Sequence, residues 1–288
     1  MSEGGAPAGG QQSVGAAGEA GTGEGGAGGE LGLGGAGGAP GGPLNVLYAT
    51  FNGTLVRLDP ETAGLVEIDT VRNAAQQGTV YPDIALTWAR LQGVARALVN
   101  PFTAPQLGVI DLCTGLVTLG PSLTLNAVPL TNAEAFAQHP NGTFYVGSGT
   151  VQYLSPTLGT LNVTTGAVTA IGSYDTTQDD ADHYTFVGDQ LHVLDVGSAV
   201  YGWYRLSLTT GAATLVAEPP GTVTTSPQRI EFDETRQQGF GWRANDRQLL
   251  AVNVVDASTS PIGETHAAGA YANAAMRGFM SAPLASCP

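Results

Sequence analysis

Three carboxylates, Asp83, Glu134 and Asp182, recur through the middle of the sequence, roughly fifty residues apart, which is the length of one repeat unit in many repeat proteins. Each has polar company. Asn132 stands beside Glu134 and His183 follows Asp182, while Arg229 and Asn273 occupy the corresponding places further on. Two carboxyl groups held about 5–10 Å apart across a glycosidic bond supply the acid and the base or nucleophile of sugar hydrolysis. One reading of Asp83, Glu134 and Asp182 is therefore the centre of a secreted carbohydrate hydrolase. A second reading makes Asp83, Asn132, Glu134, Asp182, His183, Arg229 and Asn273 the lining of a ligand-binding mouth without catalysis. A third treats them as polar strand entries that meet solvent. No local sequence around the three acids reproduces a glycosidase motif, so the second reading is taken forward.

Other chemistry is thinner. The segment SYDTTQDDADHY (173–184) concentrates Asp175, Asp179 and Asp180 ahead of Asp182, and Ca²⁺ is bound by several such oxygens in a loop. The spacing is not that of an EF-hand and no Gly sits at the bend, so a solvated acidic loop is the competing reading. No other cofactor is expected. His139, His183, His192 and His266 lack the spacing of a zinc site, and His192 alternates within a strand, where it should be half-buried or exposed. There is no G-x-S-x-G elbow and no phosphate-binding loop. Asn52-Gly53 and Asn141-Gly142 read as turns rather than as glycosylation acceptors.

What must position these residues is a unit that returns five times: RLDPETAGLVEID (57–69), VIDLCTGLVTLG (109–120), TLNVTTGAVTAIG (160–172), RLSLTTGAATLVA (205–217) and a degenerate AVNVVDASTSPIG (251–263). The turn in each copy ends at Gly64, Gly115, Gly166, Gly211 or Ser258. A tight hairpin needs a residue at positive φ, which Gly adopts without steric cost. The run after each turn alternates: Val66 and Ile68 flank Glu67, and Val117 and Leu119 flank Thr118. That period of two specifies a half-buried strand. The turns follow one another at roughly 45–51 residues, the period of a β-propeller blade.

Laid out as strands a to d from the axis outwards, the first unit has only b, c and d (45–50, 54–59 and 64–69). Four full units follow, with inner strands beginning near residues 83, 133, 183 and 229. One strand, AMRGFMSAP (275–283), is left over and reads as an inner strand. Pairing it with the incomplete first unit closes a ring and removes two exposed sheet edges. The expected fold is all-β, a five-bladed β-propeller over residues 44–288 closed by the C-terminal strand.

The units resemble the degenerate bacterial propeller repeats of the YVTN and quinoprotein-like superfamily, in which L-x-x-ID-x-x-TG-x-x-x-x-IG recurs, and the likeness covers about 44–283. It implies the propeller fold and leaves function open, since propellers host enzymes, lectins and scaffolds alike. The quinone-binding residues of that superfamily have no counterparts here. In a propeller the c–d turn and the exit of strand a lie on one face, so Cys113 in the second copy of the turn and Cys287 after the closing strand are expected to form a disulfide across the seam. Such a bond suits an extracellular or envelope location.

Composition narrows the partners. The chain has 288 residues, a formal net charge of −14, only 12% charged residues and ten basic residues, all of them Arg. Nucleic acid and anionic membrane require a basic surface and are disfavoured. No apolar run is long enough to span a bilayer. Residues 1–43 are Gly- and Ala-rich, with Glu3, Glu19, Glu24 and Glu30 as the only charges. They should form a disordered tether, like the spacer that follows the lipidated Cys of surface lipoproteins. The opening Met1-Ser2-Glu3-Gly4 has no signal-peptide pattern, so a lipid anchor is an expectation only. A monomer that binds a glycan or a protein is the overall expectation.

Overall fold

The computed structural model describes residues 45–51, 53–73, 85–88, 94–99, 104–133, 135–150, 154–174, 183–196, 201–218, 227–265 and 276–287, all within the compact unit Gly38–Pro288. The proposed tether lies outside them. Among the described residues every regular element is a strand.

Blade 1 takes β1 (Asn45–Phe51), β2 (Thr54–Leu58) and β3 (Leu65–Thr70), followed by a short β4 (Arg72–Asn73). Blade 2 is β5 (Ala85–Trp88), β6 (Val94–Val99), β7 (Gln106–Asp111) and β8 (Leu116–Ser122). A small hairpin, β9 (Thr124–Leu125) and β10 (Val128–Pro129), precedes blade 3, which is β11 (Ala135–Gln138), β12 (Phe144–Thr150), β13 (Leu154–Leu161) and β14 (Ala167–Ser173). Blade 4 is β15 (His183–Val187), β16 (Gln190–Val196), β17 (Tyr201–Leu206) and β18 (Ala213–Ala217). Blade 5 is β19 (Arg229–Asp233), β20 (Gln238–Arg243), β21 (Gln248–Val252) and β22 (Thr259–Glu264). The last strand, β23 (Met276–Pro283), returns to blade 1 as its inner strand, antiparallel to β1 with Asn45 opposite Pro283 and Leu47 opposite Ser281. The inner strands touch in cyclic order, β23 to β5 to β11 to β15 to β19 and back to β23. The five-bladed ring and its C-terminal closure are thus as the repeat predicts.

The core is five wedges, one between each pair of neighbouring blades. Tyr48, Leu55, Ala97, Ile110 and Met280 fill the wedge between blades 1 and 2. Leu98, Phe136, Phe144 and Val146 fill the next, and Tyr184, Leu191, Val193 and Tyr204 lie against Ala135 and Leu158 in the third. Trp203, Ile230 and Leu250 pack between blades 4 and 5. Phe51, Trp242, Phe240 and Phe279 close the ring, with Phe51 and Trp242 edge to face at 5.1 Å. Burying one such side chain is worth about 1.5–3 kcal/mol, and no blade can do so alone.

The repeated turn has a single geometry with one correction to the sequence reading. The positive-φ residues are Ala63, Gly115, Gly166, Gly211 and Ala257. In the first and last copies the strained position is therefore Ala63 and Ala257, one residue before Gly64 and Ser258. The position four residues earlier explains the register. Asp59, Asp111, Asn162, Ser207 and Asn253 each turn a side-chain oxygen onto the amides of the following turn. The backbone N–H of Ala63, Gly115, Gly166 and Gly211 donates to the carbonyl of that same capping residue. An oxygen-bearing cap, then an αL residue four places on, is the real motif, and Ala is tolerated there at a modest strain cost.

Two features escape the sequence pattern. Every c–d pairing carries a β-bulge, between Leu55/Val56, Gln106/Gly108, Leu158/Gly159, Trp203/Tyr204 and Leu249/Leu250. In addition β4 pairs parallel with β8, and β9 parallel with β14, so the chain leaving one blade covers the outer edge of the next. Covering an edge in this way blocks unwanted strand addition.

Cys113 and Cys287 form a disulfide with Cα atoms 5.4 Å apart. It joins the c–d turn of blade 2 to the tail of β23 in blade 1, across the seam that the sequence predicts. The tail is also held by the Ala285 amide, which donates to the Tyr48 hydroxyl at 2.9 Å.

Candidate functional site

The a–b and c–d turns occupy one face of the ring, and the chain enters each inner strand from the other. Of the nominated residues, Asn132, His183 and Arg229 lie at that entry face. Asp83, Glu134, Asp182 and Asn273 lie outside the described residues, as do Asp175, Asp179 and Asp180. Asn132 is half-buried in the connection ahead of β11. His183 and Arg229 are the first residues of β15 and β19, and the fold brings these two near each other, the Arg229 charge acting on the imidazole.

Between them the structure adds a residue that the sequence reading missed. Glu231 sits two residues into β19 and turns its Oε2 to the His183 Nε2 at 3.4 Å. Its Oε1 accepts from the backbone amide of Ser281 on β23 at 3.4 Å, and the Thr185 hydroxyl hydrogen-bonds to the same carboxyl. Thr185 Oγ1 in turn accepts from the Phe232 amide at 3.1 Å. Innermost strands expose unpaired backbone groups to the axis, and buried N–H groups need partners. Side chains of blades 4 and 5 thus satisfy the inner edges of blades 5 and 1. A signal was present: Arg229, Glu231 and Asp233 place three charges on one face of an inner strand whose counterparts read AFAQ and HYTFV.

The pair is close to dry, with side-chain exposures of 7% for His183 and 17% for Glu231. Burial pushes the Glu231 carboxyl up to about 8; the Thr185 and Ser281 hydrogen bonds pull the other way, while the charges of Asp233 and Glu234 add to the rise. Burial, then the Arg229 charge, brings His183 down to about 3. Both shifts favour the uncharged forms, Glu231 as the carboxylic acid and His183 as the neutral imidazole, as expected for ionisable groups out of water.

Asp233, next on the same face, is committed elsewhere. Burial would raise its carboxyl, but hydrogen bonds from the Thr235 hydroxyl, the Arg236 guanidinium and both residues' amides outweigh this and hold it below the usual range. Its Oδ1 also accepts from Asn45 Nδ2 at 3.2 Å, and Asn45 Nδ2 donates to Ser281 Oγ at 3.2 Å. Arg236 Nη1 donates to the Asn45 carbonyl at 2.8 Å. This network stitches blade 5 to both strands of the seam.

The remaining described histidines are structural. His139 Nδ1 accepts from the Asn141 amide at 3.0 Å, within the turn expected there. His192 is buried, at 5% exposure, and stacks on Trp203 at 4.9 Å. The half-exposed placement expected for it is wrong, because its face of β16 packs into the wedge against blade 5. Among the described residues no three His, Cys, Asp or Glu side chains gather as metal ligands would.

No protein-family model matches this chain, and no curated protein matches it. Solved structures do. A chain from a crystal structure of a nidogen/laminin complex superposes with a TM-score of 0.54 at 12% identity, covering 84% of this chain and 100% of its own. A symmetrical protein studied for its de novo evolutionary emergence superposes at 0.51 with 11% identity, again covering 84% of this chain and 100% of its own. TolB from Acinetobacter baumannii reaches 0.46 at 15% identity, covering 83% of this chain and 55% of its own. At these identities the likeness is one of fold, a β-propeller.

Proposed function

We propose that this chain is a non-catalytic binding propeller of YVTN-like repeat descent that works outside the cytoplasm, secreted or held at the cell surface. A glycan or a protein ligand is taken at the mouth where the chain enters the inner strands. The observation that carries this reading is the division of labour between the two faces. On one face each copy of the repeated turn commits its capping oxygen to its own backbone, leaving a regular scaffold. The chain enters the inner strands from the other face, and Asp83, Asn132, Glu134, Asp182, His183, Arg229 and Asn273 are assigned there from the sequence. The described axial acid, Glu231, serves contacts between blades. The Cys113–Cys287 disulfide supports an oxidising compartment. A monomer is the proposed binding unit, a reading supported by the closure of the ring within one chain.

The test is a glycan array and a protein-capture screen on the purified domain, run beside a panel of chromogenic glycosides. Binding without turnover, weakened by Asp83→Ala, Glu134→Ala or Asp182→Ala, is the expected result. Glycoside turnover abolished by the same substitutions would replace this reading with hydrolysis. The acidic segment 173–184 is tested by titrating Ca²⁺ with the domain in a calorimeter; heat or a thermal shift would add the ion to the site.

A further inference from the structure

The axial pair also bears on how the ring stays shut. Glu231 stands where three inner strands meet: its own β19, β15 through His183 and Thr185, and the closing strand β23 through the Ser281 amide. It is a link from blades 4 and 5 to a strand that comes from the far end of the chain. The second link, Asp233 with Asn45, Ser281 and Arg236, lies beside it. We infer that Glu231 is a proton-operated latch on β23: protonated, it holds the closing strand at the axis, and ionised, it lets that strand loosen.

The described charged and titratable groups facing this carboxyl set the direction. On β19 and its turn are Asp233, Glu234, Arg229 and Arg236; on β15 is His183; β23 offers a backbone amide. Arg236 is engaged by Asp233 at 2.9 Å. His183 cannot take up a balancing proton, because burial and Arg229 keep it neutral. An ionised Glu231 therefore adds a second carboxylate beside Asp233 in a nearly dry site. Stronger hydrogen bonds from Ser281 and Thr185 offset part of that cost, but burial is the larger effect. The sign follows: the folded value lies above that of the free side chain, so the stabilisation is complete below the free value of 4.5, is lost progressively as pH rises, and is gone once pH has passed about 8. Opening is local, since the disulfide at Cys287 keeps the tail of β23 on blade 2.

The experiment is amide hydrogen exchange on the full, disulfide-intact chain between about pH 6.5 and 9, corrected for the intrinsic rate. Peptides from β23 should exchange about tenfold faster at pH 8 than at pH 6.5 and level off above about pH 8, while peptides from β12 and β13 do not change. Glu231→Gln, which cannot ionise, should show no such rise. Equal behaviour of wild type and Glu231→Gln, or equal loosening of β23 and blade 3, overturns the latch. An infrared arm needs only the wild type: a protonated-carboxyl band present near pH 6 should vanish by about pH 9, and its absence at pH 6 also overturns the inference.

Discussion

The carbonyl oxygen of Thr70, at the end of β3, closes on Gly115 in the turn of the next blade, where a β-carbon would stand 2.9 Å from it. Gly115 is also at φ +66. One glycine therefore serves the hairpin and the joint between blades. The arrangement recurs, with Gly166 against the Ser122 carbonyl and Gly211 against that of Gly172. The repeat is conspicuous in sequence because two constraints fall on one position.

Gly166→Ala should therefore cost more than backbone strain alone. Gly188 provides the control, since it has φ +58 and nothing within 4 Å of the place a β-carbon would take. Urea unfolding should show a loss of about 1 kcal/mol for Gly188→Ala and at least about 2 kcal/mol for Gly166→Ala. Equal losses would mean that the blades yield at this joint.

Gly64→Ala should be nearly silent. The αL residue of that turn is Ala63, and Gly64 needs no positive φ; the nearest atom to its would-be β-carbon is the Thr62 Oγ1, at 3.2 Å. Stability within about 0.5 kcal/mol of wild type is expected by denaturant titration. A loss like that of Gly166→Ala would restore Gly64 as the critical turn residue.

Removing the disulfide by Cys113→Ser, or by reduction, should cost about 2–4 kcal/mol, since it closes a loop across most of the ring. For a domain of this size the midpoint should fall by roughly 4–16 °C in calorimetry. An unchanged midpoint would show that β23 is held by its strand pairing and the axial contacts alone.

Acid should weaken the fold through His192. Burial, followed by the Arg205 charge, lowers its imidazole to about 4, so its contribution is present above about pH 6.5 and is lost as pH falls towards 4. His183 acts in the same sense, but Glu231, with its raised value, acts oppositely between about 4.5 and 6.5, and the two cancel there. His192→Phe keeps the stack on Trp203 and should remove most of the decline between pH 6.5 and 5, on the order of 1–2 kcal/mol. A decline of the same size in the variant would assign it to other groups.

The blade count, the missing first inner strand and its replacement from the C-terminus were legible because each rests on local alternation and on a turn that repeats. The Cys113–Cys287 bond was legible for a related reason: once the topology is known, both residues fall on one face at neighbouring blades. Assigning the positive φ of the first turn to Gly64 follows glycine identity, whereas the capping oxygen of Asp59 four places earlier fixes it at Ala63. His192 was misplaced because alternation says which residues share a face, and in a propeller both faces of a blade are buried.

The sequence alone was enough to specify an all-β ring of five units closed by its C-terminal strand, since strand period and turn chemistry act over a few neighbours along the chain. Tertiary structure alone decided that Glu231 meets His183 and the Ser281 amide, that Thr70 seats on Gly115, and that β4 and β9 shield the next blade. Those contacts join residues far apart in the chain, and their energies come from burial and from unpaired backbone groups at strand edges. Both arise only when the ring closes.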